Sequence, residues 1–546
     1  MGLLAGGMGP VAEQALRALL GAGACVHSGA AFTIGVANTG GARAVLQVMA
    51  DGVVEASVGA VARAGCCVRY DPATCLLSLR VDPFGIHTLY TLRREGAFWF
   101  ASDLRVLRRL LDHEARLDPI SLHGYLCFSY VPAPRSVLCD AGVVPAGGCL
   151  QVDARGRCTL METVEWREQP VGVFDQEAAV SQLRALLRQS VQEQASDLCE
   201  ASVFLSGGLD SSLIAALLAE AGVRVHLFTL DFGPPYNGEL GYARQVAAHL
   251  GRPLHVVPCG ERQVQGALRA TAAAMEQPFG DGVTVPLYLL GRAAAQVSGV
   301  VFNGEGGDQL FGGWNNKPMV AAELYAGAGC GREAAYLATF HRFYGLTDRL
   351  YAPRARDVLR RVDAGAWVRH ALEREGFRTL LHRLRAANLA HKGAQNIAPR
   401  ARQLAEAHGL QVRSPFFDPV LAQWSFGVPS EWFLQGACEK YLLKRVAEAY
   451  LPAGIVWREK RGMGVPTTEW CRRGLRRTVA GLLAPRRLKR DGWFDPEYVT
   501  GLIRGTEEAA EFRQRRQGEK LWLLVMLAVY REAHGLHRTG WEEAVA

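Results

Sequence analysis

Residues 203–212 constrain this chain more than any other stretch. An apolar run at 203–205 leads into the string Ser-Gly-Gly-Leu-Asp-Ser-Ser, and an apolar helical segment follows at 213–218. The apolar run predicts a buried parallel strand. The glycines allow a tight turn that brings backbone N–H groups close to an anion, and the two hydroxyls lie at a helix start, which favours phosphate. Asp210 adds a carboxylate that suits Mg²⁺.

The composition is that of an ordinary globular protein, with 49% hydrophobic and 21% charged residues among 546. This length predicts about two to four domains. No apolar stretch reaches the ~20 residues that span a bilayer, and the N-terminus lacks the pattern of a secretory signal. The thirteen cysteines form no C-x-x-C pair, so neither a zinc site nor a disulfide framework is indicated. We therefore expect a cytoplasmic enzyme.

The net charge of +8 could serve contact with nucleic acid or an anionic substrate. A solvated helical face is the favoured explanation of the basic stretches at 354–402 and 472–516. Only seven of the 61 basic residues are lysines, so each lysine is an uncommon choice in this chain.

The residues before 165 alternate short strand-like runs with Gly-rich turns, as at 31–36, 75–81 and 98–102. One helix near 11–20 interrupts them. This pattern is typical of an α+β sandwich, and we assign it to residues 1–165. Residues 166–180 are polar, contain Pro170 and predict a linker.

Residues 181–546 form the second predicted domain, an α/β fold. Helical segments alternate here with strand-like runs near 203–205, 225–230, 254–257 and 299–302. This alternation predicts a doubly wound parallel sheet, followed by a mostly helical C-terminal part that ends in a helix at about 518–533. Such sheets bind ligands beyond the carboxyl ends of their strands.

A second glycine-rich site, at 303–314, follows the predicted strand 299–302. It carries Glu305 and Asp308, two acids three residues apart among glycines. A polar loop at the carboxyl end of a buried strand favours a role in metal binding or as a base. The alternative is a flexible glycine loop without a function.

These motifs resemble known families. The string at 206–212 resembles the PP-loop of the ATP pyrophosphatase group. The stretches at 82–90, 303–314, 407–418 and 457–466 resemble those of the glutamine-dependent (class B) asparagine synthetases, an ATP-dependent amidotransferase family. The resemblance implies an N-terminal glutaminase-like fold of the Ntn type, a PP-loop ligase domain, and the cofactors ATP and Mg²⁺.

The resemblance also implies roles for individual residues. Asp210 and Asp308 would bind Mg²⁺, Glu305 would handle the proton of the attacking amine, and Lys460 would reach the reacting phosphates. Gln309 replaces the family's second acid. The residues implied to bind ATP are Leu205, Ser206, Gly207, Gly208, Leu209, Asp210, Ser211, Ser212, Leu230, Asn303 and Gly304.

Two further residues are candidates for substrate contact. Some bacterial relatives carry Arg at the position of Gly282, so Asp281 is predicted to serve the substrate pocket instead. Arg413 is predicted either to form a structural pair with Asp418 or to contact substrate.

The N-terminal half departs from the family. Its glutaminases begin Met-Cys-Gly-Ile and use the terminal Cys as nucleophile, whereas this sequence begins Met-Gly-Leu-Leu and has its first cysteine at Cys25. Without a nucleophile there is no thioester chemistry, so we expect a degenerate domain without glutaminase activity. A misassigned start codon is the alternative, but it would not restore the other missing residues.

We therefore expect an ATP-dependent ligase that adenylates a small-molecule or peptide carboxylate and transfers ammonia or an amine. One alternative is an intramolecular cyclase similar to β-lactam synthetases, which carry Tyr in place of Glu305, or to lasso-peptide cyclases. A PP-loop enzyme that modifies a tRNA base and a regulatory pseudoenzyme are the alternatives of other classes. Membrane and nucleic-acid partners are not expected, and a homodimer is left open.

Overall fold

The computed structural model describes residues 2–8, 13–21, 24–29, 31–38, 43–61, 64–94, 96–111, 115–169, 175–313, 332–338, 340, 342–459, 463–506 and 511–541. Its main elements are two antiparallel sheets, a five-stranded parallel sheet with helices around it, and a mostly helical C-terminal part.

The N-terminal part is a sandwich of two six-stranded sheets. One has the order β11-β8-β9-β1-β3-β2 and the other β13-β12-β7-β6-β5-β4. The strands are β1 Gly2–Met8, β2 Cys25–Ser28, β3 Phe32–Asn38, β4 Arg43–Val48, β5 Val54–Val61, β6 Ala64–Asp71, β7 Leu76–Val81, β8 Tyr90–Arg94, β9 Ala97–Ala101, β10 Arg116–Leu117, β11 Ala141–Val143, β12 Gly148–Val152 and β13 Cys158–Glu162. The helices are α1 Glu13–Leu20, α2 Leu104–Leu111 and α3 Pro119–Phe128.

Alternation of side chains produces the sandwich core. Leu77, Leu79 and Val81 of β7 are buried, while the residues between them are half-buried or exposed. Since successive side chains of a strand point to opposite faces, this pattern places one face of each sheet against the other. Leu4 and Phe100 fill the same core from the opposing sheet. The predicted α+β sandwich is confirmed.

The second part begins with α4 (Gln176–Ala195), whose first residue lies inside the segment predicted as a linker. Its sheet has the order β16-β15-β14-β17-β18, and all neighbouring strands are parallel. The strands are β14 Glu200–Phe204, β15 Arg224–Asp231, β16 Leu254–Pro258, β17 Val300–Phe302 and β18 Gln411–Arg413, with two short pairs formed by β19 Leu434–Gln435 and β20 Cys438–Glu439 and by β10 and β21 Arg538–Thr539.

The helices that cover this sheet and follow it are numerous and mostly short. They are α5 Leu209–Glu220, α6 Leu240–Leu250, α7 Glu261–Ala274, α8 Thr284–Ala294, α9 Gly307–Leu310, α10 Arg332–Ala338, α11 Thr347–Leu350, α12 Pro353–Leu359, α13 Ala366–Glu373, α14 Leu380–Asn388, α15 Ala398–Glu406, α16 Pro419–Gly427, α17 Tyr441–Ala447, α18 Ala453–Val456, α19 Thr467–Arg472, α20 Arg476–Leu482, α21 Pro485–Asp491, α22 Pro496–Arg504 and α23 Glu511–His534. A 3₁₀ turn spans Ser430–Trp432.

The parallel sheet follows the predicted doubly wound pattern, with two features that the sequence did not indicate. The strand β18 has only three residues and extends the sheet beyond β17, the last of the strands that the sequence pattern predicts. A π-helix, Leu389–Ile397, joins α14 to α15. Both are short or irregular, so neither produces a regular hydrophobic period. No helix in the described ranges is long and apolar enough to cross a membrane.

The loop that follows β7 forms one of the contacts between the two parts. Gly85 in this loop has φ +60°, and a Cβ built on it would lie 2.3 Å from the carbonyl oxygen of Ala394 in the π-helix. Close by, the backbone N–H of Ala133 donates to the side chain of Gln395 over 2.9 Å. The π-helix is therefore fixed from the N-terminal side of the molecule.

We predict that Gly85→Ala lowers the free energy of unfolding by about 3 kcal/mol, because the added methyl group enters the space of the Ala394 carbonyl and the left-handed backbone is strained. Gly96→Ala is the matched control, since Gly96 has φ +76° but nothing within 4 Å of its Cβ position. In chemical denaturation, the free energy of unfolding of this control should fall by only about 1 kcal/mol. Equal decreases in the free energy of unfolding of the two variants would contradict the close packing of Gly85 on Ala394.

Candidate functional site

The candidate site lies where the strand order of the parallel sheet reverses, between β14 and β17. The loop at 206–208 leaves the carboxyl end of β14, and the loop at 303–307 leaves the carboxyl end of β17. Crevices at such a switch point are the usual ligand sites of parallel sheets.

The first loop turns sharply because of Gly207, which has φ +69° and packs against α6. A Cβ there would lie 2.5 Å from the backbone nitrogen of Ala243. Gly208 is the N-cap of α5, and its N–H donates to Ser206 Oγ over 3.2 Å. The hydroxyl oxygens of Ser206 and Ser211 are 3.2 Å apart. The open N-terminus of α5 thus faces the crevice, as a phosphate site requires.

The second loop packs directly on the first. A Cβ on Gly304 would lie 2.5 Å from the backbone nitrogen of Ser211, and one on Gly307 would lie 2.6 Å from Cγ of Asp210. Gly306 has φ +98°. Only residues without a side chain allow this approach. The glycines of both motifs therefore bring Asp210 and Asp308 to one place.

A buried lysine joins the two acids. The ammonium of Lys440 lies 2.5 Å from Asp210 Oδ2 and 2.5 Å from Asp308 Oδ1, and the residue is 1% exposed. Lys440 has a left-handed backbone with φ 55° directly before α17. The two carboxylates therefore converge on a single positive charge, and they are the pair that could hold a divalent cation. Among the described residues, no cluster of three or more His, Cys, Asp or Glu side chains could hold a metal alone.

Most predicted site residues line one cavity of about 1020 Å³. They are Leu205, Ser206, Gly208, Asp210, Ser211, Leu230, Asp281, Asn303, Gly304, Glu305 and Asp308. Gly207, Leu209 and Ser212 are not among its lining residues, and Leu209 and Ser212 are buried in the fold. Lys460 lies outside the described residues.

Asn303 and Arg458 complete the two sides of the crevice. The side-chain oxygen of Asn303 accepts hydrogen bonds from the backbone of Glu305 and from the hydroxyl of Ser414, at 3.0 and 2.8 Å. The guanidinium of Arg458 lies over the ring of Tyr242, and one of its nitrogens is 3.9 Å from the Cβ position of Gly208. Arg458 thus adds a positive charge beside the first loop.

Asp281 is fully engaged by protein groups. Its Oδ1 accepts from Ser129 at 2.7 Å and Arg342 at 3.0 Å, and its Oδ2 accepts from Asn396 at 2.7 Å and Arg400 at 2.6 Å. Burial raises the pKa of this carboxyl, but the neighbouring cations outweigh burial and hold the pKa well below its ordinary value. This arrangement favours a structural role, and contact of Asp281 with substrate stays a prediction.

Arg413 binds Asp197, and contact of Arg413 with substrate stays a prediction. Its guanidinium binds both carboxylate oxygens of Asp197, at 2.5 and 2.9 Å, and it is not among the described residues that line the cavity. Asp418 instead caps α16 by accepting from the N–H groups of Val420 and Leu421. Arg413 sits at the end of β18, and because that strand was not predicted, its direction was not either.

Sequence reasoning missed four cations of the cavity region, Arg342, Lys392, Arg400 and Lys440. The scarcity of lysine is the signal that could have found two of them, Lys392 and Lys440. The arginines carry no such signal, because arginine is abundant throughout the chain.

Comparison with known proteins identifies the family. The model of the asparagine synthase family matches residues 182–532, and that of the glutamine amidotransferase domain matches residues 64–162. The chain therefore belongs to the asparagine synthase family, whose members are ATP-dependent ligases.

Among curated relatives, the chain is 23% identical to asparagine synthetase [glutamine-hydrolyzing] 1 of Bacillus subtilis over 82% of this chain and 74% of that protein. It is 27% identical to asparagine synthetase B of Escherichia coli over 51% of this chain and 44% of that protein. Among solved structures, an NH3-dependent NAD synthetase from Campylobacter jejuni is 16% identical over 41% of this chain and 96% of that chain, with a TM-score of 0.21. A likeness at this TM-score adds no weight to the assignment.

We predict that Asp281→Asn lowers the free energy of unfolding at pH 7 by about 3 kcal/mol, because Arg342 and Arg400 lose their shared counter-charge. A carboxyl with a depressed pKa stabilises the fold above its ordinary pKa of 3.8, and this stabilisation is lost as the pH falls below that value. The difference from wild type should therefore shrink below about pH 4 in denaturation experiments.

Asp348→Asn is the control for this experiment, since the Asp348 side chain is 75% exposed. A difference for Asp281→Asn that stays constant across the acid range would contradict the assigned direction of the pKa.

Proposed function

We propose that this protein forms amide bonds by adenylating a carboxylate with ATP, releasing pyrophosphate, and then transferring an amine with release of AMP. The observation that carries this proposal is the direct packing of Gly304 and Gly307 on Asp210 and Ser211. This packing places three features in one cavity: a helix N-terminus suited to phosphate, two acids suited to a metal, and Glu305.

Each group has a role that follows from its position. The N–H groups at the start of α5, with Arg458 beside Gly208, would hold the leaving pyrophosphate and stabilise its developing charge. Glu305, on the opposite loop, would accept the proton of the attacking amine. Lys460 is proposed to reach the phosphates, as the family resemblance implies.

Magnesium is proposed as the metal partner of ATP at Asp210 and Asp308. These residues fit the ion, because two carboxylates already converge on one cation, the ammonium of Lys440. Mg²⁺ commonly takes one or two carboxylates and completes its shell with phosphates and water. When bound, the ion would neutralise charge on the phosphates. Lys440 would hold the acids in place and share their negative charge.

Release of AMP and pyrophosphate from ATP tests this function directly. Purified protein is incubated with ATP, Mg²⁺, ammonium and a panel of acids that includes aspartate. We predict that Asp210→Asn lowers the rate about 100-fold or more, because an anion that orients the metal is lost. Asp348→Asn, at an exposed position of α11, should retain the wild-type rate. Equal rates in the two variants would contradict the proposed site.

We also predict that Lys440→Met makes folding stability depend more strongly on Mg²⁺ than in the wild type. Removal of the ammonium leaves two adjacent carboxylates without their shared counter-charge and should lower the free energy of unfolding by about 3 kcal/mol. Added Mg²⁺ should recover part of this loss, because it binds only the folded pair. The control is Lys444→Met, since Lys444 is also buried in α17 but lies beside Glu439. Equal effects of Mg²⁺ on the two variants would contradict the assignment.

The N-terminal sandwich is proposed to lack glutaminase activity. Strand β1 consists of Gly, Leu, Ala and Met residues and supplies no nucleophilic side chain, while Cys25 lies exposed on β2. We therefore predict that ammonium supports product formation and that glutamine does not. The measurement is glutamate release from glutamine, and Cys25→Ala should leave every rate unchanged. Glutamate release that Cys25→Ala abolishes would overturn the proposal.

The division into residues 1–165, 166–180 and 181–546 is also kept as a proposal. It is supported by the last strand of the sandwich, β13, which ends at Glu162, and by α4, which begins at Gln176.

A further inference from the structure

The inner wall of the cavity carries three cations that no predicted role includes. Lys392, Arg342 and Arg400 all line it, together with the acids Asp281 and Glu519. Two acids do not balance three cations, so this wall, which we call the cationic wall, has an excess of positive charge.

The three cations differ in their hydrogen-bond and ion-pair partners. Arg400 binds Asp281 and Asn396 at 2.6 and 2.7 Å, and it is 3% exposed. Arg342 binds Asp281 and Glu519 at 3.0 and 2.9 Å. Both guanidinium groups therefore have partners within the wall.

Lys392 is the exception. In the described part of the chain its ammonium has neither a carboxylate partner nor a hydrogen-bond acceptor, and it lies over the ring of Phe340, at 5.7 Å from the centroid. A partly buried ammonium without an acceptor is unfavourable unless a ligand supplies one. An anionic ligand would supply the acceptor that the described residues do not.

The backbone around Lys392 is unusual and firmly held. Lys392 lies in the π-helix Leu389–Ile397, and π-helical segments occur frequently at functional sites. Three anchors hold this segment, namely Gly85 against Ala394, Gln395 on Ala133 and Asn396 on Asp281. The ammonium is therefore presented to the cavity from a fixed support.

The charges that act on Lys392 come from the rest of the cationic wall and from the proposed metal site. Burial is the main cause that lowers the pKa of Lys392 below its ordinary value. Asp281 and Asp308 act in the opposite direction, so the ammonium lies within range of both acids. Arg342 and Arg400 add to the lowering, and an incoming anion would relieve this repulsion.

We propose that Lys392 binds the carboxylate of the acid that is activated and holds it against ATP. This inference rests on the proposed adenylation. A carboxylate and a triphosphate repel each other, and a cation between them offsets that repulsion. In the step itself, a carboxylate oxygen forms a bond to the α-phosphorus, the bond from that phosphorus to the bridging oxygen breaks, and pyrophosphate leaves with the electron pair. Lys392 keeps its proton throughout.

Chemical labelling tests this binding without any need for turnover. The full chain is treated with formaldehyde and cyanoborohydride, and methylation of each lysine is followed by peptide mass spectrometry in acetate or in chloride of equal ionic strength. Acetate presents only the reacting group of any acid. It should slow methylation of Lys392 about threefold or more relative to chloride, and leave that of exposed Lys489 unchanged. Equal rates in the two salts, or no methylation of Lys392 at all, would overturn the proposal.

Kinetics separates this proposal from the proposed function. With an acid that yields AMP, Lys392→Met should raise KM for the acid about tenfold or more and change KM for ATP less than about twofold. Lys392→Arg should bring the KM for the acid part of the way back to the wild-type value. Lys489→Met should have the wild-type KM. If AMP forms but the acid KM of Lys392→Met is unchanged, the role of Lys392 fails while the function stands. If no acid yields AMP, the function fails and the labelling result alone decides on the anion site.

Discussion

The structure depends on the approach of two backbone loops at the centre of the parallel sheet. Gly304 and Gly307 pack on Asp210 and Ser211 at distances that no side chain would allow. This contact brings two carboxylates close together, and their repulsion must be offset within the fold. Lys440 offsets it from a strained left-handed backbone, with its ammonium 2.5 Å from each acid. The phosphate-binding helix start, the acids and their counter-charge are therefore one unit.

A buried carboxylate also lies at the contact between the two halves of the molecule. Thr88, from the N-terminal sandwich, donates to Glu276, and Arg402 binds the same carboxylate over 2.6 Å. Breaking such a buried pair is strongly destabilising, although the pair itself need not add much net stability. Together with Gly85 on the π-helix, these contacts make the sandwich a support for the cavity wall. The N-terminal half can thus serve the ligase domain even without a reaction of its own.

Several parts of the fold could be predicted from local pattern. The strands around β14, β15, β16 and β17 and the helices between them were found within a few residues, because their apolar periods are regular. The edge strand β18 and the π-helix were not, since three residues and an irregular turn carry no period. For the same reason the partner of Arg413 could not be predicted, because the strand that directs its side chain to Asp197 was not predicted either.

The sequence by itself determined the two glycine motifs, the acids Asp210 and Asp308 and the position of Glu305, because glycine and carboxylate patterns after buried strands have few structural meanings. Only the tertiary structure decided which cations contact the acids of the cavity. Lys440 lies 230 residues from Asp210 in the chain, and Arg400 lies 119 residues from Asp281. Pairing over such separations depends on how helices pack around the sheet, which no local pattern specifies. The cationic wall, with a Lys392 ammonium that has no acceptor among the described residues, is a product of that packing.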